Sequence, residues 1–122
     1  MECSCQIDAG VDDCVEVLSE KYTTSRFNRT CEECGRKIPI GEIHVREIYE
    51  YDGEYATHRT CDDCMSIRKN MVESFYYGQI REMVSEEIEY CGGEIPESCI
   101  SKLTPHAREW VCGEIEKAWV NE

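Results

Sequence analysis

The sequence has no apolar run near the ~18 residues a membrane-spanning helix needs. Its first segment, "MECSCQIDAGVDD", is acidic and carries no basic stretch leading into an apolar one. Both absences argue against a membrane span or a secretory signal, so a reducing cytoplasm is the expected compartment. Positive charge is scarce: 13 basic residues face 26 acidic ones, for a net charge of −13. A chain this acidic is repelled overall by phosphate backbones and favours protein partners or cations. Histidine is scarcer still, at three residues. An HNH-type nuclease needs a histidine pair near a hairpin end, and here only His58 stands there. No Gly-rich phosphate loop and no Ser/His/Asp set is evident, and nothing pairs His106 with a particular cysteine for thiol chemistry. The expectation is therefore a non-enzymatic protein.

Cysteine is abundant: ten in 122 residues. In a reducing compartment, closely spaced cysteines read first as metal ligands. Two C-x-x-C pairs, Cys31/Cys34 and Cys61/Cys64, stand 26 residues apart. Each pair delivers two sulfurs from one tight turn, and two such turns close a tetrahedral zinc site with no open position for chemistry. Gly35 directly after Cys34 permits the positive φ that such a turn uses. Iron would accept the same four sulfurs. His58 with Cys61 forms an H-x-x-C pair and is an alternative ligand in place of Cys64. Cys3, Cys5 and Cys14 are candidates for a second metal site, with a fourth ligand to come from Cys91, Cys99 or Cys112. The competing reading of these cysteines is small apolar packing residues, and Cys99 and Cys112 fall beside apolar stripes.

Between the pairs, "EIHVREIYEYDGEYATH" reads as a β-hairpin. Asp52-Gly53 suits a two-residue type I′ turn, which sets Tyr51 opposite Glu54, Tyr49 opposite Ala56 and Ile48 opposite Thr57. Ile48 is out of phase with Ile43 and Val45, and a bulge near Arg46–Glu47 would reconcile them. Tyr49, Tyr51 and Tyr55 cluster at the tip, as cross-strand packing or as a contact surface. "CSCQI" alternates as a short strand. "CVEVLSEKYTTSRF" is ambiguous, with an extended run expected near Tyr22–Phe27. From Asp62 onward the spacing turns helical, with Val72, Phe75 and Tyr76 as one stripe and Ile80, Met83, Val84, Ile88 and Cys91 as the next. Gly92-Gly93 stops that helix. A short helix over 96–103 buries Cys99, Ile100 and Leu103. Thr104-Pro105 then opens a last helix with Ala107, Trp110, Val111, Ile115, Ala118 and Trp119 on one face.

The order of knuckle, hairpin and a second cysteine pair opening a helix resembles the treble-clef class of zinc fingers over residues 26–72. That resemblance implies an architecture and almost nothing about function. The expected fold is α+β: an N-terminal acidic strand or arm (1–25), a treble-clef-like finger (26–72) and a C-terminal helical lobe packed on it (73–122). Arg29, Arg36, Lys37 and Arg59 lie beside the ligands, where a four-thiolate cluster of net charge −2 would ask for cations. Across its length the chain also resembles a group of small uncharacterised phage and prophage proteins, on "MECSC", "CEECGRKIPIGE", "RTCDDCMSIR" and "GGEIPESCISKLTPHAR". That resemblance implies a bacterial host cytoplasm and no particular reaction. The function expected is a zinc-binding adaptor or regulator with a protein partner such as a host factor. Two other readings remain open: an acidic DNA-mimic-like inhibitor of a host nucleic-acid-binding or defence protein, and a nucleic-acid-binding regulator using Arg26, Arg29, Arg36 and Lys37.

Overall fold

The computed structural model describes residues 7–8 and 15–120. It is a mixed α+β structure, with the elements in the order β1 (Ile7–Asp8), β2 (Val15–Thr24), β3 (Arg29–Thr30), β4 (Lys37–Ile38), β5 (Ile43–Tyr51), β6 (Glu54–Cys61), α1 (Asp62–Met71), β7 (Val72–Ser74), α2 (Ile80–Tyr90), α3 (Glu97–Ile100) and α4 (Pro105–Val120). Strand β5 is the centre of a three-stranded antiparallel sheet, β2-β5-β6. Strands β3 and β4 flank the first cysteine pair as a two-stranded ribbon, and β1 runs parallel to β7.

The hairpin forms in the register that its turn dictates: Tyr51 pairs with Glu54, Tyr49 with Ala56 and Ile48 with Thr57. Asp52 (φ 54°) and Gly53 (φ 79°) both take the left-handed region that a type I′ turn demands. The bulge expected near Arg46–Glu47 is absent from this pair. The irregularity lies on the other side of β5, in β2 between Val17 and Ser19. Ile48 is out of phase because the inward position next to it belongs to Glu47, a fully buried carboxylate. Its charge is met by Arg68 of α1, which grips both carboxylate oxygens, and by the Tyr77 hydroxyl donating at 2.9 Å. The hairpin tyrosines divide between faces. Tyr49 stacks on Tyr77 with ring centroids 4.8 Å apart, whereas Tyr55, opposite Glu50, lies on the other face and is exposed.

The ambiguous stretch before the first cysteine pair is a strand, and a longer one than the run expected at 22–27. It reaches Thr24 and turns at Ser25, whose backbone bonds to Gly41 and Glu42. Val72, Phe75 and Tyr76 do not form a helical stripe. Val72–Ser74 is a strand beside β1, because α1 ends at Met71 and Val72 is already extended (φ −123°, ψ 130°). Phe75 packs against the core while Tyr76 is exposed.

The lobe's core is the meeting of α1, α2 and α4. Ile67 and Met71 of α1, Ile80, Val84 and Ile88 of α2, and Ala107, Val111 and Ile115 of α4 form one buried cluster, which Ile7 of β1 joins. Helix α2 stops where Gly92 and Gly93 adopt positive φ, with the Gly93 amide donating to the Ile88 carbonyl at 2.9 Å. The short helix is confined to Glu97–Ile100; it buries Cys99, and Leu103 is buried just beyond it, while Ile100 is half-buried. On α4, Ala107, Val111, Ile115 and Ala118 are buried as the spacing requires, but Trp119 is exposed, its ring lying against Gly93. Cys91 and Cys99 are each in a disulfide, so Cys99 is not a packing residue alone. Cys112 is a free, half-buried thiol. Among the described residues, no helix is long and apolar enough to cross a membrane.

Candidate metal centre

Two local structures converge at the cysteines. The first is the turn between β3 and β4. The Cys31 amide donates to the Arg36 carbonyl and the Gly35 amide to the Cys31 carbonyl, both at 2.9 Å, with Gly35 at φ 78°. The second is the junction of β6 and α1. Cys61 caps α1, its sulfur accepting from the Cys64 amide at 3.5 Å. The free amides of a first helical turn favour negative sulfur, although Asp62 and Asp63 share that turn.

The Sγ atoms of Cys31, Cys34, Cys61 and Cys64 all lie within 4.8 Å of one another. Cys34 and Cys61 are 3.9 Å apart, close to the ~3.8 Å edge of a tetrahedron built on ~2.3 Å metal–sulfur bonds. Cys31, Cys61 and Cys64 are buried and Cys34 is exposed. The set fits a four-coordinate metal ion with all ligands supplied by the protein. Crowding sets the protons. For Cys31 and Cys61 the hydrogen bond to Cys34 and Cys31, respectively, opposes the shift, but those from the other two sulfurs carry both thiols down to about 6. For Cys34 the Cys31 hydrogen bond leads the fall to about 6. Cys64 is pushed up by the other three. Four sulfurs this close cannot all ionise unless a cation sits among them.

Donors surround the sulfurs. Cys31 Sγ accepts from the Glu33 amide at 3.4 Å and the Cys61 amide at 3.3 Å. Arg36, flagged by its place in the sequence, is salt-bridged to Glu42 at 2.8 Å. Burial opposes its charge, but Glu42 and Cys61 hold its pKa above the ordinary value. The cation that sequence adjacency misses is Arg81 of α2, whose Nε donates to Cys64 Sγ at 3.1 Å while its guanidinium lies 4.6 Å over the Trp110 ring. It is 17 residues from Cys64, and no local pattern links the two.

His58 is not a member of the cluster. It lies three residues before Cys61 on the same strand, so the pleat turns the two side chains to opposite faces. Its Nε2 is 2.7 Å from a Glu33 oxygen and its ring stacks on Tyr77 at 4.3 Å. Glu33, a spacer residue between Cys31 and Cys34, has a fully buried carboxylate. Besides His58, it accepts from the Gly78 amide at 2.7 Å and the Ile80 amide at 3.1 Å, and so caps α2. Burial opposes its ionisation, but His58 and those two amides lower its pKa.

Cys3, Cys5 and Cys14 lie outside the described residues. Among the described residues, Cys31, Cys34, Cys61 and Cys64 form the one group placed to hold a metal ion, and Cys91 and Cys99, candidate fourth ligands of a second site, are in disulfides. Comparison of the chain with protein-family models, curated proteins and solved structures gives no match.

Proposed function

We propose that Cys31, Cys34, Cys61 and Cys64 hold one structural zinc ion in a treble-clef-like finger, and that the protein is a non-enzymatic adaptor or regulator acting on a protein partner, such as a host factor of a phage product. The observation that carries this reading is the closed sulfur set. Four ligands within 4.8 Å leave a tetrahedral ion no vacant position for an activated water. A protein partner is favoured by the net charge of −13 and by the exposed aromatics of the lobe, Tyr90 and Trp119.

Elemental analysis of protein purified without added metal tests the first half: one zinc per chain is expected, and an intact fold with less than one bound transition metal refutes it. Cys34→Ser and Cys64→Ser should each abolish stoichiometric binding and unfold the finger. Affinity capture from a bacterial lysate, with mass spectrometry and a nuclease-treated arm, tests the second half. A protein retained by the metal-loaded chain and lost with Cys64→Ser supports the adaptor; the absence of any such protein removes it.

A further inference from the structure

The three-stranded sheet has one covered face; its other face is buried at the His44–Cys61 pair and opens from Arg46 toward the hairpin tip. Val45, Glu47, His58 and Thr60 point to the covered side and are buried. On the open side, Lys21 of β2 stands directly opposite Arg46 of β5, and Arg46 directly opposite Arg59 of β6. Three cations thus form one row across three strands, about 10 Å from end to end by the usual strand spacing. Lys21 and Arg46 are exposed, Arg59 is half-buried, and no ion pair forms on Lys21 or Arg46 among the described residues. Arg59 Nη1 lies 2.7 Å from His44 Nε2, and Arg29 is close enough for its charge to act on both. Glu32 is the nearby acid, accepting the Arg59 amide at 2.7 Å. Glu50, farther toward the hairpin tip, begins the acidic end of this face.

Like charges directly opposite one another weaken a sheet. A chain with 26 acids nevertheless places none opposite Arg46. Exposed aromatics complete the surface. Tyr55 is 68% exposed on the same face; Phe27, 63% exposed in the segment between β2 and β3, lies 5.3 Å under the guanidinium of Arg29, whose charge reaches Arg59. Cations that track a backbone, with aromatic rings on which bases stack, are what binds a single strand. An acidic peptide would use the charges and leave the rings idle. A duplex, with one charge per ~1.7 Å, is repelled more strongly by the rest of this acidic chain and hides its base faces.

We propose that this open face, the Lys21–Arg46–Arg59 row with Tyr55, joined by Phe27 where it meets Arg29, binds single-stranded nucleic acid. The inference goes beyond the adaptor reading and uses neither the metal ligands nor the lobe's aromatics.

The test is fluorescence anisotropy of a labelled 15-nucleotide oligo-dT with the full-length, metal-loaded protein, whose metal content is measured in the same sample. Three phosphate contacts predict about 18-fold weaker binding at 200 mM than at 50 mM salt. Arg46→Ala, at an exposed side chain, should weaken binding and lower that ratio to about sevenfold. Tyr55→Ala should weaken binding and leave the ratio unchanged. No binding at 50 mM salt by folded, metal-loaded protein overturns the proposal. So does a salt dependence untouched by Arg46→Ala, an equal affinity for the matching duplex, or binding of a labelled poly-Glu peptide in place of the oligonucleotide. The metal content measured alongside keeps a failure here separate from a failure of the zinc reading.

Discussion

Glu33 and Glu32 are adjacent residues of one short turn with different stakes. Glu33 is buried with three partners, while Glu32 is half-exposed and takes one backbone amide. Removing a buried acceptor strands its donors; removing an exposed one lets water replace it. Glu33→Ala should therefore lower the unfolding free energy by about 2 kcal/mol, and Glu32→Ala by under about 1 kcal/mol, as read by urea denaturation. Tyr77 gives a pH-dependent counterpart. Burial first, then the charge and hydrogen bond of Glu47, raise its hydroxyl above the ordinary 10. The folded chain holds this proton where the unfolded chain releases it. The contribution is intact below about pH 10 and is lost as pH rises toward the folded value. Stability should fall more steeply above pH 10 in the wild type than in Tyr77→Phe, whose own cost at neutral pH is about 1–2 kcal/mol. At this scale the sequence shows the four metal-ligand candidates plainly, since C-x-x-C is a local pattern. Glu33 and Arg81 are invisible in it, because what they bond to lies 45 and 17 residues away in the chain.

Helices and turns follow from local rules where those rules act alone. Helix α1 begins at Asp62 with acids in its first turn and Arg68 and Lys69 in its last, and α4 begins at Pro105, as their sequences direct. Thr104 is a partial exception: its hydroxyl donates to Asp63 of α1 at 2.6 Å. The misread elements are those decided by a distant strand. Val72–Ser74 is extended because β1 lies beside it, and Glu47 faces Arg68 in an unbroken β5–β6 register, the irregularity lying in β2. Two glycines separate conformational from steric cost. A Cβ on Gly53 would meet nothing within 4 Å, whereas one on Gly93 would lie 2.6 Å from Trp119 Nε1 and 3.1 Å from the Ile115 carbonyl oxygen. Gly53→Ala should cost about 1 kcal/mol, the penalty of a left-handed backbone alone. Gly93→Ala should cost more and shift the Trp119 emission, as equilibrium unfolding followed by fluorescence would show.

The cysteine centre and the helices share their anchoring groups across the described residues. Cys64 meets Arg81 of α2, Glu33 caps α2, and Asp63 meets Thr104 just before α4. Ile67 and Met71, on the helix that carries Cys64, belong to the lobe's core. Both tryptophans are in α4: Trp110 lies under Arg81, which bonds Cys64, and Trp119 lies against Gly93. Stripping the metal with a chelator should therefore change Trp110 emission and α-helical circular dichroism together, in one transition that zinc reverses; a finger that melts while tryptophan emission stays fixed would show the two halves to be independent. The buried Glu33 carboxylate has a practical consequence for anyone transplanting residues 26–72 into a fusion protein. The excised module would carry an ionised oxygen pair cut off from the amides of Gly78 and Ile80, so a working graft must either bring the 77–80 loop with it or replace that glutamate.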